Sequence, residues 1–318
     1  VDDLVGLVPY LLGFHPEESL VAMVLQEGRV VVTARVDLAA VTGVDDLDDL
    51  LARLFGRFPA SEGWFLAYTD DDALAWHVLA GCVELVGLAR LGRVLQVGSE
   101  QWRADCPDGP TGPVGVTVTA TAAQAAALGL PARRSRRDLA DGLAAPPDAE
   151  VDGLVAEFDA RSAELDAVSP RARRRLLGRL LAGSGQLARP DCVRLALLVA
   201  ADEGQVAALG RLERGAAERH LQVWSQVLRH SLSAYRPAVL GLIGFAAWQT
   251  GDGALQMVCL EQLDLVDPLA PMAALLDWLN ANVVPPEEWD RLRPSLLSAL
   301  EAGLRGAVAG PPASPPRR

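Results

Sequence analysis

Apolar and polar positions alternate in two different ways along the chain, and the change falls near its middle. Residues 2–12 have helical spacing, broken by Gly13-Phe14-His15-Pro16. Residues 19–26 (SLVAMVLQ) are apolar on both faces, as in a buried strand. Glu27-Gly28 is a two-residue turn, and residues 29–38 (RVVVTARVDL) form the return strand. A period of two puts Val30, Val32, Ala34, Val36 and Leu38 on one face and Val31, Thr33, Arg35 and Asp37 on the other. Residues 45–55 carry Leu47, Leu50, Leu51 and Leu54 on one side of a helix. A buried strand at 64–69 (WFLAYT), a helix at 71–88 and a strand at 93–97 follow. A further strand is predicted at 114–121, then helices at 122–128 and 137–143. Strand, helix, strand, helix, strand implies two right-handed crossovers. The expected fold of residues 1–145 is therefore α/β, a mixed and mostly parallel sheet with flanking helices.

Ala144-Ala145-Pro146-Pro147 reads as a linker. Beyond it the pattern has only helical spacing, over 151–165, 170–181, 190–201, 216–232, 237–249, 253–264, 268–280 and 286–302. Ser169-Pro170 and Asp267-Pro268 each place a capping side chain before a proline at the first helical position. Residues 146–305 are expected to form an all-helical domain, a bundle or short solenoid without a strict repeat. Residues 306–318 are expected to be a Pro-rich disordered tail.

Composition narrows the chemistry. With 318 residues, half of them apolar, the chain can build about two cores. All 29 basic residues are arginine, and there is no lysine. This excludes a Walker phosphate loop and lysine Schiff-base chemistry. The net charge of −12 opposes nonspecific binding to nucleic acid or anionic lipid. The four cysteines, Cys82, Cys106, Cys192 and Cys259, are far apart and fit a reducing compartment. No apolar run is long enough to span a bilayer, so a cytoplasmic protein without membrane contact is expected. No G-x-G-x-x-G after a strand, G-x-S-x-G elbow, H-E-x-x-H or EF-hand loop occurs, and no cofactor is indicated.

Five groups of residues remain as candidate sites. The loop His15, Glu17, Glu18, Ser19 could pair an imidazole with a carboxylate and offer a hydroxyl. The plain alternative is a structural turn fixed by Pro16. Arg35 and Asp37 share one face at the carboxyl end of a strand, where α/β sheets bind ligands. They could clamp an anion, or simply pair with each other. Asp70-Asp71-Asp72 follows a strand and is a weak candidate for Mg²⁺. Helix capping accounts for the same residues, and His77 reads as a helix-face residue. The arginine runs 133–137 and 171–175 read as solvated faces. Gly251-Asp252-Gly253 reads as a cap between two helices, and Trp224, Trp248, Trp278 and Trp289 as packing.

Several segments together resemble a known family. PYLLGFHPEESLV at 9–21 precedes RVDL at 35–38; a Trp102 strand leads to Cys106-Pro107 and then SRRDL at 135–139. GDGALQMVCLEQLDLVDPLAPMAALL follows at 251–276. The chain is similar over nearly its whole length to the domain-of-unknown-function 4192 family, which implies an actinobacterial origin but no activity. Relatives often carry extra cysteines after the tryptophan strand. Here that turn has Cys106 alone, so any metal or disulfide of the relatives is not expected at this point.

The sequence supports a non-catalytic binding protein with a small-ligand or peptide site near His15 and Arg35. Its helical half would contact a protein partner or a second copy. The alternative is a hydrolase or transferase acting on a small anionic substrate with His15, Glu18 and Asp37. A third reading makes the loop purely architectural.

Overall fold

A computed structural model of the chain describes residues 1–41, 43–115, 119–127, 132–183, 186–267 and 270–309. The chain divides into two compact units. The first is Val1–Asp138 with Ala281–Val283, and the second is Leu139–Asn280 with the chain from Val284 on.

The first unit begins with helix α1 (Asp2–Leu12), which ends on Gly13 in the left-handed conformation, φ 78°. Strands β1 (Ser19–Gln26) and β2 (Arg29–Asp37) form a hairpin. Its turn residues Glu27 and Gly28 both have positive φ, the geometry that a two-residue hairpin requires. Helix α2 (Val44–Arg57), β3 (Glu62–Tyr68), α3 (Asp72–Val86), β4 (Leu91–Val97), β5 (Gln101–Ala104) and β6 (Thr111–Pro113) follow. Helices α4 (Ala120–Ala127) and α5 (Arg136–Asp141) come next.

The six strands form one sheet in the order β2-β1-β3-β4-β5-β6. The expectation of a mostly parallel sheet is wrong. Only β3 and β4 are a parallel pair; the other four pairings are antiparallel. The tight hairpin makes β1 antiparallel to β2, and β1 then takes the place between β2 and β3. The α2 connection therefore passes over β1 instead of joining neighbours. Strands β2, β3 and β4 still point the same way, so their carboxyl ends share one edge. The row Asp37, Ser19, Tyr68, Val97, Trp102 runs across that edge in register.

The hairpin register slips between Val24 and Leu25, leaving Val31 as an extra residue on β2. Val32, Ala34 and Val36 pack on the core as the alternation predicts. Val30, expected in the same row, pairs with Leu25 instead and is 38% exposed. One core lies between the sheet and helices α2 and α3. It joins Leu20, Ala22, Phe65, Ala67 and Val94 to Leu47, Leu51, Leu54, Val78 and Leu79. The opposite face buries Val21, Met23, Leu66 and Leu95, with α1 on that side. There Trp102 Nε1 donates to Asp2 Oδ1 at 2.7 Å. Gly6 of α1 lets α4 approach, since a Cβ there would meet Thr119 Oγ1 at 2.8 Å.

The second unit is helical among its described residues: α6 (Asp148–Asp166), α7 (Pro170–Ala182), α8 (Arg189–Ala200), α9 (Asp202–Leu209), α10 (Ala217–Arg229), α11 (Arg236–Thr250), α12 (Gly253–Val266), α13 (Pro271–Ala281) and α14 (Trp289–Ala309). Helix α11 is buried nearly all round and forms its axis. Its Phe245 and Trp248 each meet Trp289 edge to face, at 4.6 and 6.2 Å between ring centres. Helix α9 was not expected. A corner at Ala201 separates it from α8, and Gly204 permits it, because a Cβ there would lie 1.8 Å from the Leu198 carbonyl. Helix α14 continues beyond the predicted end at Ala302, so residues 306–309 are helical rather than tail. The predicted strand at 114–121, the predicted helix start at Pro268 and the rest of the tail involve residues outside the described ones. Among the described residues no helix is long and apolar enough to cross a membrane.

Candidate functional site

The candidate residues of the first unit gather at the edge where β2, β3 and β4 end. They form two adjoining networks.

The first network is built by the loop between α1 and β1. The His15 amide donates to the Arg133 carbonyl at 2.9 Å, and the Arg133 amide donates to the Gly13 carbonyl at 2.9 Å. These bonds pin the loop while Pro16 is buried and the His15 side chain is exposed. Ser19 is fully buried, and its hydroxyl donates to the Glu17 carbonyl. That hydroxyl also accepts from Arg35 Nε at 2.8 Å. Arg35 reaches Asp37 Oδ1 at 2.5 Å and lies over the Phe14 ring at 5.9 Å. Arg35 is thus engaged by Ser19 and Asp37.

Glu18 points elsewhere. Its backbone is left-handed, φ 42°, its carbonyl accepts from the Leu38 amide at 2.9 Å, and its carboxylate is held by the Thr69 hydroxyl. The expected acid/base grouping of His15, Glu18 and Asp37 is therefore not assembled. Each has a separate environment, and among the described residues the His15 ring has no hydrogen-bond partner.

The second network begins at Thr69. Its hydroxyl accepts from the Asp71 amide at 3.2 Å, and its carbonyl accepts from Gln96 Nε2 at 3.4 Å. Asp70, Asp71 and Asp72 then diverge. Asp70 Oδ1 accepts from the Ser99 amide at 2.7 Å and from its hydroxyl at 3.1 Å. Asp71 caps α3 by accepting from the Leu74 amide at 3.0 Å. Asp72 accepts from Gln96 at 2.5 Å and from Arg103 at 3.1 Å. Hydrogen bonds from Gln96 and then Arg103 hold the Asp72 carboxyl below its ordinary range. The three carboxylates, weak candidates for a metal in the sequence, turn to different partners. Among the described residues no group of three or more His, Cys, Asp or Glu could hold an ion.

Between the β3–α3 and β4–β5 connections these side chains line an open groove of about 180 Å³. Its walls are Asp70, Asp72, Gln96, Ser99, Glu100 and Arg103, with Gly98 and Gln101. Among the described residues it contains hydroxyl, amide, carboxylate and guanidinium groups, but no imidazole, thiol or phenol. Gln96 anchors it, buried to 5% exposure and bonded to Trp76 Nε1 at 3.2 Å as well as to Thr69, Asp72 and Arg103. Sequence reasoning missed Gln96, Ser99 and Arg103. One signal was present: Gln96 is the polar residue inside an otherwise apolar run, and a buried amide needs partners.

Elsewhere, Gly251 ends α11 at φ 84° and Asp252 caps α12 by accepting from the Leu255 amide at 2.9 Å. His77 is exposed on α3. Trp224, Trp248 and Trp289 are buried, whereas Trp278 is 40% exposed.

A six-stranded mixed sheet followed by a helical unit, with a polar groove at the strand ends, is the class of protein that the geometry defines. The family profile described as "Domain of unknown function (DUF4192)" matches residues 2–287. The chain belongs to that family. No curated protein and no solved structure matches it.

Proposed function

We propose that this chain is a non-catalytic binding protein whose first unit takes a small polar ligand carrying positive charge. The observation that supports this reading is the groove at the carboxyl ends of β3 and β4, the position where open α/β sheets bind ligands. Its side chains are already oriented by one another, so little ordering is left for a ligand to impose. Asp70, Asp72 and Glu100 outnumber Arg103, so the groove favours a cation such as an organic amine. An anionic ligand beside Arg35 is disfavoured, because Asp37 neutralises that guanidinium. The loop at 13–19 supports the groove through Glu18 and Thr69 and does not itself bind the ligand.

A thermal-shift screen of organic amines, amino acids and nucleosides against the whole chain tests the reading. A binder is expected to raise the unfolding midpoint of wild type and leave that of Asp70→Asn unchanged. It should also be recovered chemically intact after incubation. A compound that is converted makes the protein an enzyme; a complete screen without any shift removes the reading.

A further inference from the structure

Helix α7 combines charges in a way that its own fold does not balance. Its sequence, PRARRRLLGRLLA, has five arginines and no acidic residue. Leu177 and Leu181 face inward. Arg171, Arg175 and Arg179, spaced i, i+4, i+8, are exposed on the other side. Among the described residues these three have no ion-pair or hydrogen-bond partner. Most other arginines of the second unit do have one. Arg161 meets Glu157 and Glu164, Arg173 meets Asp166, Arg174 meets Glu203, and Arg194 meets Glu164 and Asp191. Like charges four residues apart on a helix repel. Arg171 also sits in the first turn, where the helix dipole disfavours a cation. An unbalanced stripe on a chain of net charge −12 is a local conflict of the kind that sites of interaction retain.

A complementary surface exists on the same chain. Helix α2 buries Leu47, Leu51, Leu54 and Phe55 and turns Asp45 and Asp49 outward, with Asp48 on the flank. The carboxylates of Asp45, Asp48 and Asp49 have no partner among the described residues. Asp45 and Asp49 are themselves four residues apart. Their separation along the helix, about 6 Å, equals that of Arg171 and Arg175. Guanidinium and carboxylate at equal spacing can form paired, bidentate contacts.

We infer that the arginine stripe of α7 docks on the Asp45–Asp49 face of α2 in a second copy of this chain. This inference does not depend on the ligand groove.

Equilibrium sedimentation of the whole chain at low and high ionic strength is the test. Wild type is expected to associate at low salt and dissociate at high salt. Reversing the stripe (Arg171→Glu, Arg175→Glu, Arg179→Glu) and, separately, the acidic face (Asp45→Arg, Asp48→Arg, Asp49→Arg) should each weaken association about tenfold or more. Mixing the two variants should restore association with each other. Circular dichroism should show both variants folded, because all six positions are on the surface; the α2 reversal loses the favourable first-turn charge of Asp45 and should melt slightly lower. A wild-type chain that is monomeric at low salt overturns the inference. So does an α7 reversal without effect, or an α2 reversal that leaves association intact.

Discussion

The Thr69 hydroxyl stands 3.0 Å from both carboxylate oxygens of Glu18. That one group joins the loop before β1 to the end of β3, and so links the most distinctive segment of the sequence to the groove. The Glu18 backbone is left-handed, φ 42°. The Thr69 hydroxyl is shared further, since it accepts from the Asp71 amide at the start of α3.

Deleting either partner should therefore cost stability in a coupled way. Glu18→Ala and Thr69→Val are each expected to destabilise the chain by about 1 kcal/mol or more. The double variant should lose less than the sum, with a coupling energy of about 0.5–1.5 kcal/mol. Denaturant melts of the four proteins measure it; a coupling near zero would show that the contact contributes nothing.

Ser19 and His15 should separate architecture from chemistry in the same loop. Ser19 is fully buried and takes the Arg35 Nε hydrogen bond at 2.8 Å. Ser19→Ala leaves that donor unpaired and is expected to cost about 1–3 kcal/mol. The His15 ring is exposed, so His15→Ala is expected to change stability by less than about 0.5 kcal/mol. If the histidine variant proves the more damaging of the two by urea unfolding, the loop geometry has been misread.

His220 gives the helical unit a defined sensitivity to acid. It is 2% exposed on α10, and its Nδ1 has no hydrogen-bond partner. Burial first, and the Arg219 charge second, push its pKa down to about 4. The folded state thus prefers the neutral ring, while the unfolded chain takes up a proton near pH 6.5. The sign follows: this contribution is complete above about pH 6.5 and is lost progressively as pH falls toward 4. The loss is at most about 1.4 kcal/mol per pH unit. Urea midpoints measured across that window should fall for wild type and fall less steeply for His220→Gln. Parallel curves would remove the assignment.

How much could be read in the linear chain depended on how local the determining interaction was. The hydrophobic periods placed α1 and β1 at the bounds the structure has, because each is set by neighbours in sequence and by Gly13 or the Glu27-Gly28 turn. The same holds for the caps at Asp71, Ser169 and Asp252, which bond three residues ahead. Short elements escaped. Strand β6 has three residues, too few for a period to register, and α9 is separated from α8 by a single corner residue.

By itself, then, the sequence determined most of the longer helices and strands and most of their apolar faces, and that lysine chemistry and the familiar nucleotide and zinc motifs are absent. Tertiary structure alone decided the strand order, because alternation marks a buried face but does not name the neighbour across it. It decided that β1 lies between β2 and β3, which turned an expected mixed, mostly parallel sheet into one with a single parallel pair. It also decided the site. Arg35 and Asp37 close on each other and Glu18 turns away to Thr69, while Gln96, Ser99 and Arg103 meet Asp70 and Asp72 across about thirty residues of intervening chain. Such contacts follow from how strands are stacked edge to edge, and no spacing within one segment encodes them.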